Sequence, residues 1–149
     1  LHSFPTRRSS DLLLHENETE VFGETSDNCV KIYKSIPSNN LKHCFDPCNF
    51  VMAGEDILNV SFPKVKDKIV YFHVKDYSLS KKTTIVAGEG DGRIPEILDA
   101  LKQRDFMFLT VEPHLVSGNN RRGFTGPDLF AEAYQAIRKI LEDISAKYE

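Results

Sequence analysis

The chain has 149 residues, 40% of them hydrophobic and 28% charged, with a formal net charge of −3. That length supports one domain with its own core, and the scattered lysines and arginines form no basic stripe of the kind a nucleic-acid binder needs. No apolar run approaches the roughly 20 residues of a membrane helix. The three cysteines, Cys29, Cys44 and Cys48, are odd in number and follow no zinc spacing, which suits buried thiols in a reducing, cytoplasmic setting.

Residues 1–12, LHSFPTRRSSDL, have neither helical nor strand periodicity. They resemble a translated sequencing-adapter fragment. A non-native segment is therefore expected over 1–12, the domain over 13–149, and further native chain upstream.

From Leu12 the pattern becomes a repeat of short apolar run, polar motif and amphipathic stretch. The first run, Leu12-Leu13-Leu14, ends at His15-Glu16, and a helix is expected from about Asp27 to Ile36. The second run, Leu41 to Phe45, leads into Asp46-Pro47-Cys48-Asn49, with a weaker helical stretch from Glu55. The third, Ile69 to Val74, is β-branched and aromatic and reads as a strand. Ala87 to Gly92 is a glycine-rich loop, after which Pro95 opens a helix carrying Ile97, Leu98 and Leu101. The fourth run, Phe106 to Val111, lands on Glu112-Pro113-His114. Polar residues Ser117 to Thr125 follow. Gly126-Pro127-Asp128 then starts a last helix whose inward face is expected to carry Phe130, Tyr134, Ile137, Leu141 and Ile144.

Each strand must return through a crossover helix, so the strands should be parallel, and near-continuous apolar runs suit strands buried on both faces. The expected fold class is α/β: a (β/α)8 barrel truncated to its last four strand–helix units, since a whole barrel takes about 250 residues.

Glu16, Asp46, His73 and Glu112 each close one run, at intervals of 30, 27 and 39 residues. In parallel α/β folds the carboxyl ends of the strands converge on the active site. Three carboxylates and one imidazole make a hard, oxygen-rich ligand set for a divalent cation such as Mn²⁺, Mg²⁺ or Co²⁺. His15 and His43 sit off these ends and read as ordinary surface or core histidines. Lys75 could steady an anionic oxygen, and His114 could reach a substrate. Arg121, Arg122 and Gly123, ahead of the last helix, could hold a phosphate.

His15-Glu16-Asn17-Glu18, Phe45-Asp46-Pro47-Cys48-Asn49-Phe50, Phe72-His73-Val74-Lys75-Asp76, Gly88-Glu89-Gly90-Asp91 and Val111-Glu112-Pro113-His114 occur in this order. Together they resemble the xylose isomerase-like TIM-barrel superfamily of sugar phosphate isomerases and epimerases, over residues 12 to about 145. The resemblance implies one divalent metal ion on Glu16, Asp46, His73 and Glu112, with Mn²⁺ first and Mg²⁺, Co²⁺ or Zn²⁺ as alternatives. It also implies Glu16 and Glu112 as an acid–base pair and a sugar or sugar phosphate as substrate; the open sheet edges of half a barrel separately suggest pairing with a second copy as a homo-oligomer. Asn49, Lys75 and His114 are the expected substrate contacts. Asn49 stands where the epimerases often carry a histidine, and Leu79 where they carry an arginine. Endonuclease IV-type repair enzymes share the superfamily, but their extra metal ligands include histidines at Asn49 and between Lys75 and Arg93, where this chain has none. A non-catalytic sugar-binding barrel is the remaining alternative, against which stand the two glutamates.

Overall fold

The structure is a computed structural model that describes residues 11–104, 107–116 and 125–148. Strand β1 spans Leu13–Glu16, β2 Leu41–Phe45 and β3 Ile69–Val74. A two-stranded antiparallel hairpin follows, β4 (Asp76–Ser78) with β5 (Thr83–Ile85), and then β6 (Phe108–Val111). β1, β2, β3 and β6 form one parallel sheet in that order.

Helix α1 (Ser26–Ser35) returns the chain from β1 to β2, with Asp27 in its first turn and Lys34 in its last, each complementing the helix dipole. Between β2 and β3 lie α2 (Pro47–Met52), a π-helical turn (Ile57–Ser61) and α3 (Phe62–Val65). Helix α4 (Ile94–Leu101) leads to β6, and α5 (Pro127–Asp143) follows it. The crossover pattern and the parallel order are those of part of an α/β barrel.

The core lies between the sheet and these helices. Phe45, Ile69, Phe72 and Val74 come from the strands, Phe50 from α2, Ile97, Leu98 and Leu101 from α4, and Ile137, Ile140 and Leu141 from α5. Phe45 stacks on Phe72 with ring centroids 5.7 Å apart and tilts against Phe50 at 5.3 Å. A register shift between His43 and Cys44 leaves Val70 as the extra residue on β3, so Ile69 and Phe72 both reach this core.

Two expectations need correction. The inward face of the last helix is Ala133, Ile137, Ile140 and Leu141, while Phe130 and Tyr134 are 45% and 47% exposed. The buried stripe is set by the contacts with α4 and β6, and Phe130 and Tyr134 lie beside it. The long interval before β6 contains the β4–β5 hairpin as well as the glycine-rich loop. The start of the fourth apolar run, Phe106, and the residues Arg121, Arg122 and Gly123 lie outside the described residues, as does most of 1–12.

One buried carboxylate organises the loop after the hairpin. Asp76 is inaccessible to solvent; its Oδ1 accepts from the backbone N–H of Tyr77 and Gly92 at 2.8 and 2.9 Å, and its Oδ2 from Gly88 and Gly90 at 2.9 and 3.1 Å. Gly88 has φ of 88°, which favours glycine, and a Cβ at Gly90 would collide with the Asp76 carboxylate. Replacing Asp76→Ala strands these donors. A loss of about 3 kcal/mol or more is expected in urea unfolding with an unchanged m-value; a loss below about 1 kcal/mol would contradict this role for the carboxylate.

Candidate metal centre

Side-chain alternation puts Glu16, Cys44, Tyr71 and His73 on one face of the sheet and His15, His43, Phe45 and Phe72 on the other. Asp46 and Glu112 lie one residue beyond the ends of β2 and β6. His73 is paired laterally with Thr110, two residues before Glu112. These four side chains therefore meet at the carboxyl edge of the sheet.

They meet closely. One ligand atom from each of Glu16, Asp46, His73 and Glu112 lies within 4.8 Å of the others. His73 Nδ1 is 3.0 Å from Glu16 Oε1, 2.9 Å from Glu112 Oε2 and 3.7 Å from Asp46 Oδ2. Asp46, then Cys44 and Glu16, raise the His73 pKa to about 12, against the opposing effect of burial. The single N–H at Nδ1 cannot satisfy three carboxylates, whereas a divalent cation in their midst can. Three oxygens and one nitrogen at this spacing fit a divalent metal ion.

Asp46 is the most constrained of the four. Its Oδ1 caps α2 by accepting from the Asn49 N–H at 2.9 Å, while Lys75 Nζ lies 2.8 Å from Oδ2. Lys75 is buried, which opposes its charge, but Asp46 and Glu112 outweigh that and raise its pKa. Asn17 is the residue that sequence reasoning passed over. Its Nδ2 donates to the Asp46 carbonyl at 2.8 Å and its Oδ1 accepts from the Asp46 N–H at 2.9 Å, so one side chain extends the β1–β2 ladder by a rung. Its signal in the sequence was its place directly after a strand-ending ligand residue.

Of the expected substrate contacts, Asn49 is buried with its side-chain Nδ2 unpartnered, and its backbone N–H donates to Asp46 Oδ1. Lys75 reaches Asp46. His114 is exposed, with Nε2 2.9 Å from Glu112 Oε1 and φ of 47°, and its carbonyl accepts from Thr84 Oγ1 at 2.7 Å. Cys44 also belongs here: its Sγ groups with Glu16 and His73 within the same 4.8 Å limit. Burial raises its pKa, with His73 acting in the opposite direction. A cleft of roughly 440 Å³ lies elsewhere, lined by Glu55, Asp56, Asp91 and Arg93 among others, and none of the four candidate ligands borders it.

A parallel sheet with its polar residues gathered at the carboxyl edge is the arrangement of a (β/α)-barrel protein. The chain belongs to the xylose isomerase-like TIM-barrel family, whose model matches residues 12–143. Similar solved structures include a probable 3-DHS dehydratase, AsbF, involved in petrobactin synthesis in Bacillus anthracis, at 16% identity and a TM-score of 0.65, covering 85% of this chain and 48% of that one. Another is a xylose isomerase domain protein from Planctomyces limnophilus, at 16% identity and a TM-score of 0.57, covering 90% and 47%. The chain thus spans about half the length of each. No curated protein matches it. Among the described residues, no helix is long and apolar enough to cross a membrane.

Two measurements check this centre. A cation taken up at His73 must expel the ring proton, which is retained up to a pKa of about 12. Mn²⁺ affinity should therefore fall about tenfold for each unit the pH drops below that value, with about one proton released per ion in calorimetry across buffers of differing ionisation enthalpy. Asn17→Ala, which frees the Asp46 backbone, should weaken Mn²⁺ binding by about 10–100-fold while the far-ultraviolet circular dichroism stays the same.

Proposed function

We propose that the parent protein is a metal-dependent isomerase or epimerase that moves a proton at a carbon next to a carbonyl of a sugar or sugar phosphate. The observation that carries this reading is the meeting of Glu16 and Glu112, from the two outer strands of the sheet, at one imidazole nitrogen. Simple binding of a sugar needs no such pair. Proton transfer at carbon needs one carboxylate to remove a proton and a second carboxylic acid to return it.

Glu16, Asp46, His73 and Glu112 would hold the ion, Mn²⁺ by preference for this hard donor set. When bound, a divalent cation supplies positive charge opposite the oxygen on which negative charge develops. The protein's own residues do the rest. Glu112 is oriented by His114 Nε2, which leaves Glu16 to serve the other face of the carbon. Lys75 holds Asp46 in place and adds positive charge beneath the site. His114, exposed and with its Nε2 on Glu112, would be a contact for a substrate hydroxyl, a role its left-handed backbone supports. Asn49 donates its backbone N–H to Asp46, and its buried, unpaired Nδ2 supports a role as a substrate contact. The free cysteines suit the cytoplasm, and a small molecule rather than nucleic acid suits the acidic centre.

Dehydration is the second reading, favoured by the likeness to the probable 3-DHS dehydratase. It begins with the same proton removal beside a carbonyl and ends with loss of a hydroxyl group. Incubation of the full-length protein with ketoses, their phosphates and Mn²⁺ in deuterated water separates the two. Isomerisation or epimerisation incorporates deuterium with no loss of water, and dehydration yields an unsaturated product. Glu112→Gln should lower the rate by about 10²–10⁴-fold with the fold intact, and unchanged turnover would remove Glu112 from the acid–base role. Abasic-site DNA should remain uncut.

A further inference from the structure

The other face of β1 and β2 carries a second group of donors that the proposed reaction does not use. His15 and His43 point away from the carboxylates, toward α1, which contributes Cys29 and Tyr33. One donor atom from each of His15, Cys29 and His43 lies within 4.8 Å of the others. Cys29 and His43 are inaccessible to solvent, and the two imidazoles stack with centroids 6.2 Å apart.

Two nitrogens here, His15 Nδ1 and His43 Nε2, are buried with no hydrogen-bond partner. Polar atoms so placed are rare and call for a ligand or another account. Tyr33 Oη sits 2.6 Å from His43 Nδ1. With His43 Nδ1–H donating to the Tyr33 hydroxyl oxygen, Nε2 carries the lone pair, the tautomer that metal binding at Nε2 requires. Gly23 shapes the cradle: a Cβ there would collide with the His15 ring, and its carbonyl accepts from Cys29 Sγ at 3.1 Å.

We infer that His15, Cys29 and His43 form a second metal site, selective for a thiolate-binding cation of the Zn²⁺ type and separate from the carboxylate centre. The donor chemistry sorts the two ions: one sulfur and two imidazole nitrogens favour zinc, while the carboxylate-rich set favours Mn²⁺ or Mg²⁺. Burial holds the Cys29 pKa up at about 12, so the metal-free thiol keeps its proton. On binding, the S–H bond breaks, its electron pair forms the bond to the metal, and the proton passes to solvent with no change of oxidation state. The donors then draw in from within 4.8 Å to about 3.5 Å, the separation set by metal–ligand bonds of roughly 2.0–2.3 Å. The bound ion would tie α1 to β1 and β2.

Cobalt is the probe, because a thiolate bound to Co²⁺ gives a charge-transfer absorption that carboxylate and imidazole ligands do not. Cys44 near His73 and Cys48 near Asp46 are the competing sulfurs, and variants separate the three. The chain should bind two Co²⁺ ions and show the thiolate band. Cys29→Ser should lose the band and one ion, Cys44→Ser and Cys48→Ser should each keep the band, and Asp46→Asn should lose one ion and keep the band. A band that survives Cys29→Ser, or a chain that binds one ion without a band, overturns the inference. X-ray absorption on the Zn²⁺-loaded Asp46→Asn chain tests it with Cys29 intact: sulfur at about 2.3 Å and nitrogen at about 2.0–2.1 Å are expected, and a shell without sulfur overturns it.

Discussion

Asp46 is gripped through its backbone by one strand and through its side chain by the rest of the site. The Asn17 amide exchanges two hydrogen bonds with the Asp46 main chain, where the β1–β2 ladder would otherwise stop. With N–H and carbonyl both fixed, the carboxylate has little freedom: one oxygen caps α2 and the other faces Lys75 and His73. Glu16 lies immediately before Asn17, so the residue that clamps Asp46 also sets the direction of a neighbouring candidate ligand. The local order of the metal centre follows from that one pairing.

The electrostatics follow as well. Three carboxylates within reach of one imidazole repel each other unless positive charge lies among them. In the protein alone that charge comes from the His73 proton and the Lys75 ammonium. A divalent cation among donors that lie within 4.8 Å of one another would offer the same compensation. The fold thus carries the cost of gathering like charges, and a bound cation would relieve it.

Much of this could be read from the sequence. β2 and β3 coincide with their apolar runs, because strands buried on both faces show continuous hydrophobicity. The four candidate ligands stood out because each closes a run, and the structure gathers them at the sheet's carboxyl edge. Helix α2 was hidden: it is six residues long, too short for a periodic signal, and Asp46 was read as a ligand while it also serves as an N-cap. The β4–β5 hairpin was hidden too, since three-residue strands reading Asp-Tyr-Ser and Thr-Thr-Ile are too short to show an apolar alternation. On α5 the periodicity was sound but its phase was not, because the buried stripe depends on where α4 and β6 sit. Asn17 could not be valued from sequence, for its worth lies in a partner 29 residues away.

The Asp76 hub has a consequence for how this region can vary. The backbone N–H groups of Tyr77, Gly88, Gly90 and Gly92 all end on one carboxylate, so the two ends of the hairpin are anchored independently of its tip. Residues Leu79 to Lys82 lie between those anchors and outside the sheet that carries the ligands. Related chains could lengthen or shorten that tip while the four N–H donors on Asp76 keep the base of the hairpin in place.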